Sequence, residues 1–310
     1  MSQPITRFAP SPTGLLHLGH AFAALTAFAA ACPGGFVLRI EDLDRGRCRP
    51  EFATAIREDL AWLGVSWREP VLHQSTRGDA YRAALALLEQ RGVIYPCFCT
   101  RAQIAAEIAH AAEAPHAAEA LPAAEAPPAA GNPPTGSLYP GTCRAMSAAE
   151  RRLRLSRGEA FALRLDAARA AAQIPPSELQ FTECGTDHHG PTGRLAVDPR
   201  LLGDIVIARK DLPAAYHLAV VVDDAFQGIT LVTRAEDLFA ATHVQRLLQA
   251  LLGLPAPRYA HHRLILDADG RKLSKRDQAP TLRSLRAQGL TPAQLQRQLG
   301  FTGARAASRS

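Results

Sequence analysis

The first forty residues constrain the fold of this chain more than any other segment. Residues 5–8 form a short apolar run that ends at a proline-rich loop, and a helical signal begins near Leu18. The segment 21–31 is rich in alanine, the best helix former, and stops at a Pro-Gly-Gly sequence. The apolar run 36–40 (FVLRI) then predicts a second strand. Strand, helix and strand in this order predict a βαβ unit, and therefore an α/β fold with a parallel sheet.

Periodicity predicts the elements that follow. Three segments place apolar residues at helical spacing and predict amphipathic helices: 51–64, 78–92 and 236–252. The segment 218–232 (LAVVVDDAFQGITLV) contains β-rich runs and predicts two strands around a turn at Asp223 and Asp224. The segment 263–277 predicts a strand, a D-x-D-G turn and a lysine-rich loop. The segment 281–300 predicts one or two basic helices.

A low-complexity stretch interrupts this pattern at 102–136. HAAEAP, HAAEAL and PAAEAP repeat there with a period of six residues. Six matches neither a helical face nor a strand face, and proline recurs, so we expect a flexible insertion. A partly helical spacer is the alternative.

Composition excludes several classes of protein. A chain of 310 residues with 47% apolar and 21% charged residues is neither disordered nor a disulfide-stapled miniature. It has no run of eighteen apolar residues and no secretory signal, so we expect a cytoplasmic protein that does not enter a membrane. The net charge of +6 suits a polyanionic partner, although an excess of surface arginine explains it equally well.

The motif His17-Leu18-Gly19-His20 stands between the first strand and the first helix. A helix N-terminus presents free backbone N–H groups to phosphate, and Gly19 leaves room for a nucleotide against the backbone. Two imidazoles can donate hydrogen bonds to a phosphoryl group as its charge redistributes.

A second motif, KLSKR, places Lys272 and Lys275 three residues apart in the predicted loop. Two such lysines can follow a triphosphate through its transition state. Alone, either motif is weak evidence, but the pair is specific for nucleotide chemistry. The chain has neither G-x-G-x-x-G nor G-x-x-x-x-G-K-[ST], so dehydrogenase and P-loop interpretations lack support.

The cysteines favour a metal site over disulfides. Cys97 and Cys99 form a C-x-C pair and Cys143 follows later, in a chain without a signal peptide. Such thiolates can bind one tetrahedral Zn²⁺, but three cysteines leave one ligand missing. Three ordinary reduced cysteines are the alternative, and His110 and His116 are ligand candidates inside the repeat. His188 and His189 stand near Cys184 among glycine and proline, which favours a solvated loop over a second site.

Together, RFAPSPTGLLHLGH, RIEDLD and KLSKR closely resemble the glutamyl branch of the class I aminoacyl-tRNA synthetases, from Arg7 to Arg276. The resemblance implies a Rossmann-like parallel sheet, a zinc-bearing insertion and a small C-terminal helical segment. It implies that His17, His20, Lys272 and Lys275 are catalytic, and that His17, Gly19, His20 and Lys275 bind ATP with Mg²⁺. No side-chain nucleophile is needed, because the substrate carboxylate attacks the α-phosphate of ATP.

The resemblance also implies which residues bind glutamate. Two carboxylates and one ammonium require cations and one anion, and an arginine fork suits a carboxylate better than lysine does. The residues that match the motif positions are Arg7, Ala9, Ser11, Glu41, Tyr216 and Arg234. Glu41 is expected to pair with the α-ammonium. The match is less complete at Arg234, where the familiar R-G-x-D-L reads R-A-E-D-L.

Within this branch, C-x-C…Y-x-x-x-C is similar to the glutamyl-Q tRNA(Asp) synthetase family, and Tyr139 and Cys143 fit that spacing. The resemblance implies one structural zinc held by Cys97, Cys99, Tyr139 and Cys143. Only 34 residues, 277–310, follow Arg276, which predicts a helical stub and no anticodon-binding domain. The implied enzyme is a monomer that activates L-glutamate without tRNA and esterifies the queuosine base of tRNA(Asp).

Four regions are predicted from these observations. They are 1–96 and 181–276 as two halves of the catalytic domain, 97–180 as the connective insertion, and 277–310 as the helical stub with a frayed tail. Two rival functions remain: a minimal synthetase that charges a tRNA 3′ end, and a non-catalytic RNA-binding paralogue. A nucleotidyltransferase would share H-x-G-H but leaves R-I-E-D and C-x-C unexplained.

Overall fold

The computed structural model describes residues 4–31, 33–112, 138–185, 187–210, 212–266 and 280–301. The strands are β1 (Thr6–Phe8), β2 (Phe36–Ile40), β3 (Arg68–His73), β4 (Ile94–Cys97), β5 (Ala162–Leu165), β6 (Gln180–Glu183), β7 (Gly193–Ala196), β8 (Val206–Arg209), β9 (Leu231–Ala235) and β10 (Arg258–His262). The helices are α1 (Leu18–Ala30), α2 (Pro50–Trp62), α3 (Gly78–Gln90), α4 (Arg101–Ala112), α5 (Ala148–Ser156), α6 (Ala167–Ala171), α7 (Tyr216–Phe226), α8 (Phe239–Leu252), α9 (Leu282–Ala287) and α10 (Pro292–Gln298).

Two groups of parallel strands meet at β1 and β9. The strands β1, β2 and β3 pair in that order, all parallel. The strands β6, β10 and β9 are also parallel, and β7 is antiparallel at their edge. The N–H groups of Thr230 and Leu231 donate to the Ile5 carbonyl at 3.0 and 3.1 Å, which brings β9 beside β1. The predicted parallel sheet is confirmed, and the strand order reverses at β1, where ligands bind at the carboxyl ends of such sheets.

A separate antiparallel sheet, β4-β5-β8, carries the cysteine motif. Cys97 is the last residue of β4 and pairs in register with Ala162 of β5. The C-x-C pair therefore lies where the strand leaves the sheet.

The predicted helices near residues 18–31, 51–64 and 78–92 are confirmed as α1, α2 and α3. Helix α1 begins with a capping box made by two histidines: His17 Nδ1 accepts from Gly19 N–H at 3.1 Å, and His20 Nδ1 accepts from His17 N–H at 3.2 Å. Helix α8 ends at Gly253, whose φ of +64° is the left-handed conformation that glycine adopts without strain.

The prediction of two strands over 218–232 is wrong, because its first part is helix α7 and only its end enters β9. Three consecutive valines favour strands by propensity, but seven of the eleven residues of α7 are buried, so packing overrides that preference. Asp223 and Asp224 do not form a turn. Both lie buried inside the helix.

Two further expectations differ from the structure. The strand placed from residue 263 is instead β10, which ends at His262, and 263–266 contain no strand. Both histidines at the end of β10 are buried, and two adjacent polar residues give no signal of a buried strand. The first part of the expected flexible insertion, 102–112, is instead helical and belongs to α4, as the alternative of a partly helical spacer predicts and the high alanine content allows. Residues 113–137 lie outside the described part.

The C-terminal helices pack against the first half of the sheet, and the prediction of one or two helices there is confirmed, since the structure has two, α9 and α10. Leu282 and Leu295, both fully buried, belong to the same core cluster as Leu25 of α1 and Ile56 of α2. Gln296 Nε2 also donates to the Leu63 carbonyl at 2.9 Å. In the described ranges no helix has the length and apolar character needed to cross a bilayer.

Candidate active site and metal centre

A buried cluster of charges joins β1, β2 and α7. Asp224 Oδ1 accepts from Arg39 Nη1 at 2.7 Å and from Arg7 Nε at 3.1 Å. Arg7 Nη1 also donates to the Thr233 carbonyl at 3.0 Å, and Arg39 Nη1 donates to Gln227 Oε1 at 3.0 Å. One carboxylate thus holds two guanidinium groups.

Glu41 lies at the edge of this cluster, directly after β2. Its Oε1 is 3.4 Å from Arg39 Nη2, and its side chain is 11% exposed. Burial raises the pKa of Glu41 above its ordinary value, against the opposing effect of Arg39 and Arg7. For Asp224 burial acts in the same direction, but Arg7 and Arg39 outweigh it and hold the pKa low. The two carboxyls therefore differ because Asp224 has two guanidinium groups within 3.1 Å, whereas the one ion pair of Glu41 is longer, at 3.4 Å.

The loop after β1 runs beside Glu41. The Glu41 N–H donates to the Pro10 carbonyl at 3.0 Å, which places the predicted residues Ala9 and Ser11 next to Glu41. Four predicted glutamate-binding residues are therefore brought together: Arg7, Ala9, Ser11 and Glu41.

A second buried carboxylate, Asp223, lies next to Asp224 in α7. Asp223 accepts from Tyr81 Oη at 2.7 Å, from Gln74 Nε2 at 3.0 Å and from Arg77 Nε at 3.1 Å. Sequence reasoning missed Arg39, Asp223 and Asp224 as site residues. A valine run that ends in two acidic residues was the available signal, because buried carboxylates require partners.

Two further predicted residues, Tyr216 and Arg234, lie in α7 and β9. Tyr216 is the first residue of α7 and is 37% exposed, and its ring centroid is 5.1 Å from that of His217. Burial, and then the charge of Arg234, lower the pKa of His217 to about 4. Arg234 is buried and donates to Gln245 Oε1 at 2.7 Å and to Thr242 Oγ1 at 2.6 Å.

The histidine motif occupies the first turn of α1. Because Nδ1 of both His17 and His20 accepts a backbone hydrogen bond, the proton of each neutral ring lies on Nε2. The two ring centroids are 3.8 Å apart. A Cβ on Gly19 would stand 3.0 Å from His17 Cε1, so glycine lets the His17 ring fold over the helix start.

The described residues on either side of the lysine motif lie against α1. Thr281 forms an isolated β-bridge with His17, and the Leu282 N–H donates to the Leu16 carbonyl at 2.8 Å. On the other side, residues 263–266 line a cleft of about 560 Å³ together with Leu18 at the start of α1 and Leu299 near the C-terminus. Lys272 and Lys275 lie outside the described residues.

The loop with two histidines borders this cleft. The N–H and Nδ1 of His189 lie 3.1 and 3.0 Å from Glu236 Oε2, while Leu264 N–H donates to Glu236 Oε1 at 3.3 Å. The His189 side chain is 91% exposed, as a solvated loop predicts. The prediction is wrong for His188, whose side chain is 1% exposed because it turns inward to Glu183, 3.5 Å away.

Three thiols converge where β4 ends. The Sγ atoms of Cys97, Cys99 and Cys143 lie within 4.8 Å of one another, the one such group of possible ligands in the described part of the chain. Tyr139 Oη is 3.4 Å from Cys97 Sγ and 3.7 Å from Cys99 Sγ, and Cys99 Sγ is 3.4 Å from Cys143 Sγ. Tetrahedral zinc places its sulfur ligands about 3.8 Å apart and an oxygen about 3.5 Å from a sulfur. The four side chains therefore fit one zinc ion. His110 and His116 fall where no side chain is described.

Two contacts fix the Tyr139 side chain, one to its ring and one to its phenol oxygen. Arg164 lies over its face with Cζ 3.9 Å from the centroid, and the Cys143 N–H donates to the phenol oxygen at 2.8 Å. Burial raises the pKa of the Tyr139 phenol. The position of the phenol is thus fixed by protein contacts around the cysteines.

Known proteins resemble this chain over nearly its full length. The family described as tRNA synthetases class I (E and Q), catalytic domain, matches residues 5–309. The glutamyl-Q tRNA(Asp) synthetase of Rhodobacter capsulatus is 46% identical over 300 residues, which are 96% of this chain and 100% of that protein.

Longer proteins match as well. The glutamate–tRNA ligase 1 of Methylococcus capsulatus is 38% identical over 94% of this chain and 57% of its own length. The crystal structure of a glutamate–tRNA synthetase from Elizabethkingia anophelis has a TM-score of 0.72 at 25% identity, covering 97% of this chain and 62% of that one. This chain therefore spans a little over half of these two proteins.

Proposed function

The chain belongs to the catalytic-domain family of class I tRNA synthetases for glutamate and glutamine, and on that premise we propose that it ligates glutamate to tRNA. More narrowly, we propose that it activates L-glutamate with ATP and transfers it to the queuosine base of tRNA(Asp). One observation carries the narrower proposal: the similarity to the glutamyl-Q tRNA(Asp) synthetase of Rhodobacter capsulatus spans that protein from end to end.

The charge cluster is the proposed glutamate site. Arg7 and Arg234 would bind the carboxylates, Glu41 the α-ammonium, and Ala9, Ser11 and Tyr216 would shape the pocket. Arg39 and Asp224 hold Arg7 in place, because Asp224 accepts from both guanidinium groups. Arg7 and Arg234 supply guanidinium groups that suit the two carboxylates of glutamate, and Glu41 supplies the anion for its ammonium.

The start of α1 is the proposed site of the ATP phosphates. His17 and His20 each carry the ring proton on Nε2, so both can donate to a phosphoryl oxygen as its charge develops. Gly19 and the cleft lined by 263–266 would accept the nucleoside, and Lys272 and Lys275 would bind the phosphates. The Mg²⁺ that accompanies ATP neutralises phosphate charge.

Both proposed steps use the chain for positioning. In the first, a carboxylate oxygen of glutamate attacks the α-phosphorus, the bond to the bridging oxygen breaks, and pyrophosphate leaves. In the second, a queuosine hydroxyl attacks the acyl carbon of the adenylate, and the bond from that carbon to the phosphate oxygen breaks. AMP leaves, and the hydroxyl proton passes to the departing phosphate. Neither step needs a nucleophile from the protein, because the attacking oxygen belongs to glutamate in the first and to queuosine in the second.

The cysteine cluster is the proposed zinc centre. Cys97, Cys99 and Cys143 would supply thiolates and Tyr139 the fourth ligand, and the metal would have a structural role. The observed spacing of the four ligand atoms supports this set.

The test uses ATP, labelled glutamate and two tRNA(Asp) samples, with and without queuosine. We expect glutamate-dependent pyrophosphate exchange without tRNA, and label only on the queuosine-containing sample after its 3′ end is removed. Label at a 3′ end would identify a minimal glutamate–tRNA ligase. Absence of exchange would contradict the enzymatic proposal, and Lys275→Ala is the matched inactive control, expected to fold normally.

A further inference from the structure

Among the described residues, no carboxylate contacts Arg234 directly, and a histidine connects it to one. Its Nε lies 3.1 Å from Nε2 of His261, and the two residues are register partners on the neighbouring strands β9 and β10. Nδ1 of His261 lies 2.5 Å from Oε2 of Glu183, the last residue of β6. Carboxylate, imidazole and guanidinium thus form a line across three adjacent parallel strands, at the end of the sheet where the proposed substrates bind.

The direction of every hydrogen bond in this line is determined. A guanidinium Nε can only donate, so His261 Nε2 must accept and the ring proton must lie on Nδ1, pointing to Glu183. Burial, and next the charge of Arg234, lower the pKa of His261 to about 4 despite the bond to Glu183, so the ring is neutral at physiological pH. Burial opposes ionisation of Glu183, but His261 and two backbone N–H groups outweigh it and lower the pKa of that carboxyl.

The backbone fixes Glu183 independently of the imidazole. Glu183 Oε1 accepts from Gly185 N–H at 2.7 Å and from His261 N–H at 3.0 Å. A Cβ on Gly185 would stand 2.3 Å from the His261 carbonyl oxygen, so this approach requires glycine. Glu183 is therefore a rigid reference point for the His261 ring.

The contacts of Arg234 leave part of its fork for a ligand. Guanidinium has five N–H donors. One goes to His261, one to Gln245 and one to Thr242, which leaves two in the contacts that the structure describes. Two donors are what a carboxylate takes in a bidentate pair.

We propose that Glu183 and His261 are positioning residues that orient Arg234 for a carboxylate of the amino-acid substrate. The inference rests on the proposed function, because it takes glutamate as the ligand. Neither residue touches the substrate. Glu183 fixes the tautomer and plane of the His261 ring, and the ring fixes the rotation of the Arg234 fork.

Two substitutions separate the two contacts of His261. In His261→Asn, the amide can replace Nδ1 as the donor to Glu183, but no atom reaches Arg234 Nε. In His261→Gln, the longer side chain can replace Nε2 as the acceptor for Arg234, but it no longer satisfies Glu183. His243→Asn is the matched control: His243 is also buried with a pKa of about 4, and its Nδ1 accepts from Asp198 N–H at 2.9 Å, while none of the described hydrogen bonds joins it to Arg234.

The experiment measures KM for glutamate and for ATP in pyrophosphate exchange, alongside thermal unfolding. We expect His261→Asn to raise KM for glutamate about tenfold while KM for ATP stays within about twofold. His261→Gln should unfold at a lower temperature yet keep KM for glutamate closer to that of the unsubstituted protein. His243→Asn should change neither KM.

The outcomes distinguish the two proposals. If the unsubstituted protein shows no glutamate-dependent exchange, the proposed function fails and this inference fails with it. If exchange occurs and His261→Asn keeps the original KM for glutamate, only the positioning role is overturned. Equal increases in both KM values would also overturn it, since a general loss of structure would explain them.

Discussion

Arg39 and Asp224 stand 185 residues apart in the chain, yet Arg39 Nη1 lies 2.7 Å from Asp224 Oδ1 and neither side chain is more than 7% exposed. This ion pair joins a strand of the first half of the fold to a helix of the second. Arg7 shares the same carboxylate oxygen. The proposed amino-acid site therefore exists only when both halves are folded together.

Asp224→Asn should destabilise the protein strongly. The amide keeps the shape of the side chain but removes the charge that two buried guanidinium groups share, and breaking a buried pair in this way costs about 3–5 kcal/mol. Urea unfolding measures the change. The control is Asp44→Asn, which breaks the exposed pair with Arg47 and should have little effect. Equal losses in the two variants would contradict this account of the cluster.

The raised pKa of Glu41 predicts how the affinity for glutamate changes with pH. Burial raises its pKa above the ordinary 4.5, while Arg39, Arg7 and the nearby Asp224 charge act on the same carboxyl. The ammonium of glutamate pairs only with the ionised form. Affinity should therefore increase as pH rises through the raised pKa and decrease as pH falls below it.

The measurement is KM for glutamate between about pH 5 and 8, where the substrate carboxylates stay ionised. We expect KM to rise toward the acid end. In Glu41→Gln the KM should be higher throughout and nearly independent of pH. A wild-type KM that does not change toward acid pH would argue against Glu41 as the ammonium partner.

Sequence reasoning predicted the parallel sheet and the first βαβ unit because local signals agree there. Alanine favours the helix, the prolines and glycines mark its ends, and apolar runs form the strands. It failed at α7, where three valines suggested strands, because burial on nearly all sides outweighs β-propensity. The pattern within one segment carries no information about how many faces a neighbouring element will cover.

The pattern within one segment also predicts only part of the candidate active site. Arg7 and Glu41 lie in a contiguous motif, so they could be predicted, whereas Arg39 and Asp224 acquire their role from a contact between distant segments. His261 is similar: it is the first of two adjacent histidines in the sequence YAHH, and nothing in that sequence indicates that its partners lie on β6 and β9. Only the strand order β6-β10-β9 reveals that alignment.

Cys143→Ser should remove the metal. A structural zinc contributes directly to folding, so the variant should hold far less zinc and its antiparallel sheet should unfold more easily. Elemental analysis of the purified protein checks the content, with about one zinc expected per unsubstituted chain. Tyr139→Phe should retain zinc but lose it faster to a chelator. Cys184→Ser, outside the cluster, should leave the content unchanged.

Equal zinc in Cys143→Ser and in the unsubstituted protein would contradict the proposed ligand set. Unchanged chelator kinetics in Tyr139→Phe would remove Tyr139 alone from it. The two variants therefore test the thiolates and the phenol separately.

Leu282, which follows the lysine motif in the sequence, packs beside the histidine motif. It is fully buried, directly follows Thr281, and its N–H donates to the Leu16 carbonyl at 2.8 Å, next to His17. Leu282→Ala should lower the free energy of unfolding by about 2–5 kcal/mol, because it opens a cavity in the core under α1. It should also loosen the bridge between Thr281 and His17 and raise KM for ATP several-fold.

Leu295→Ala separates these two effects. Leu295 is equally buried in the same core cluster, but it belongs to α10, and in the described residues it makes no backbone hydrogen bond with the segment before α1. Its truncation should cost similar stability and leave KM for ATP unchanged. A rise in KM in both variants would mean that ATP binding follows core stability in general. A rise in Leu282→Ala alone would mean that the end of the lysine loop must be held beside His17 for ATP to bind.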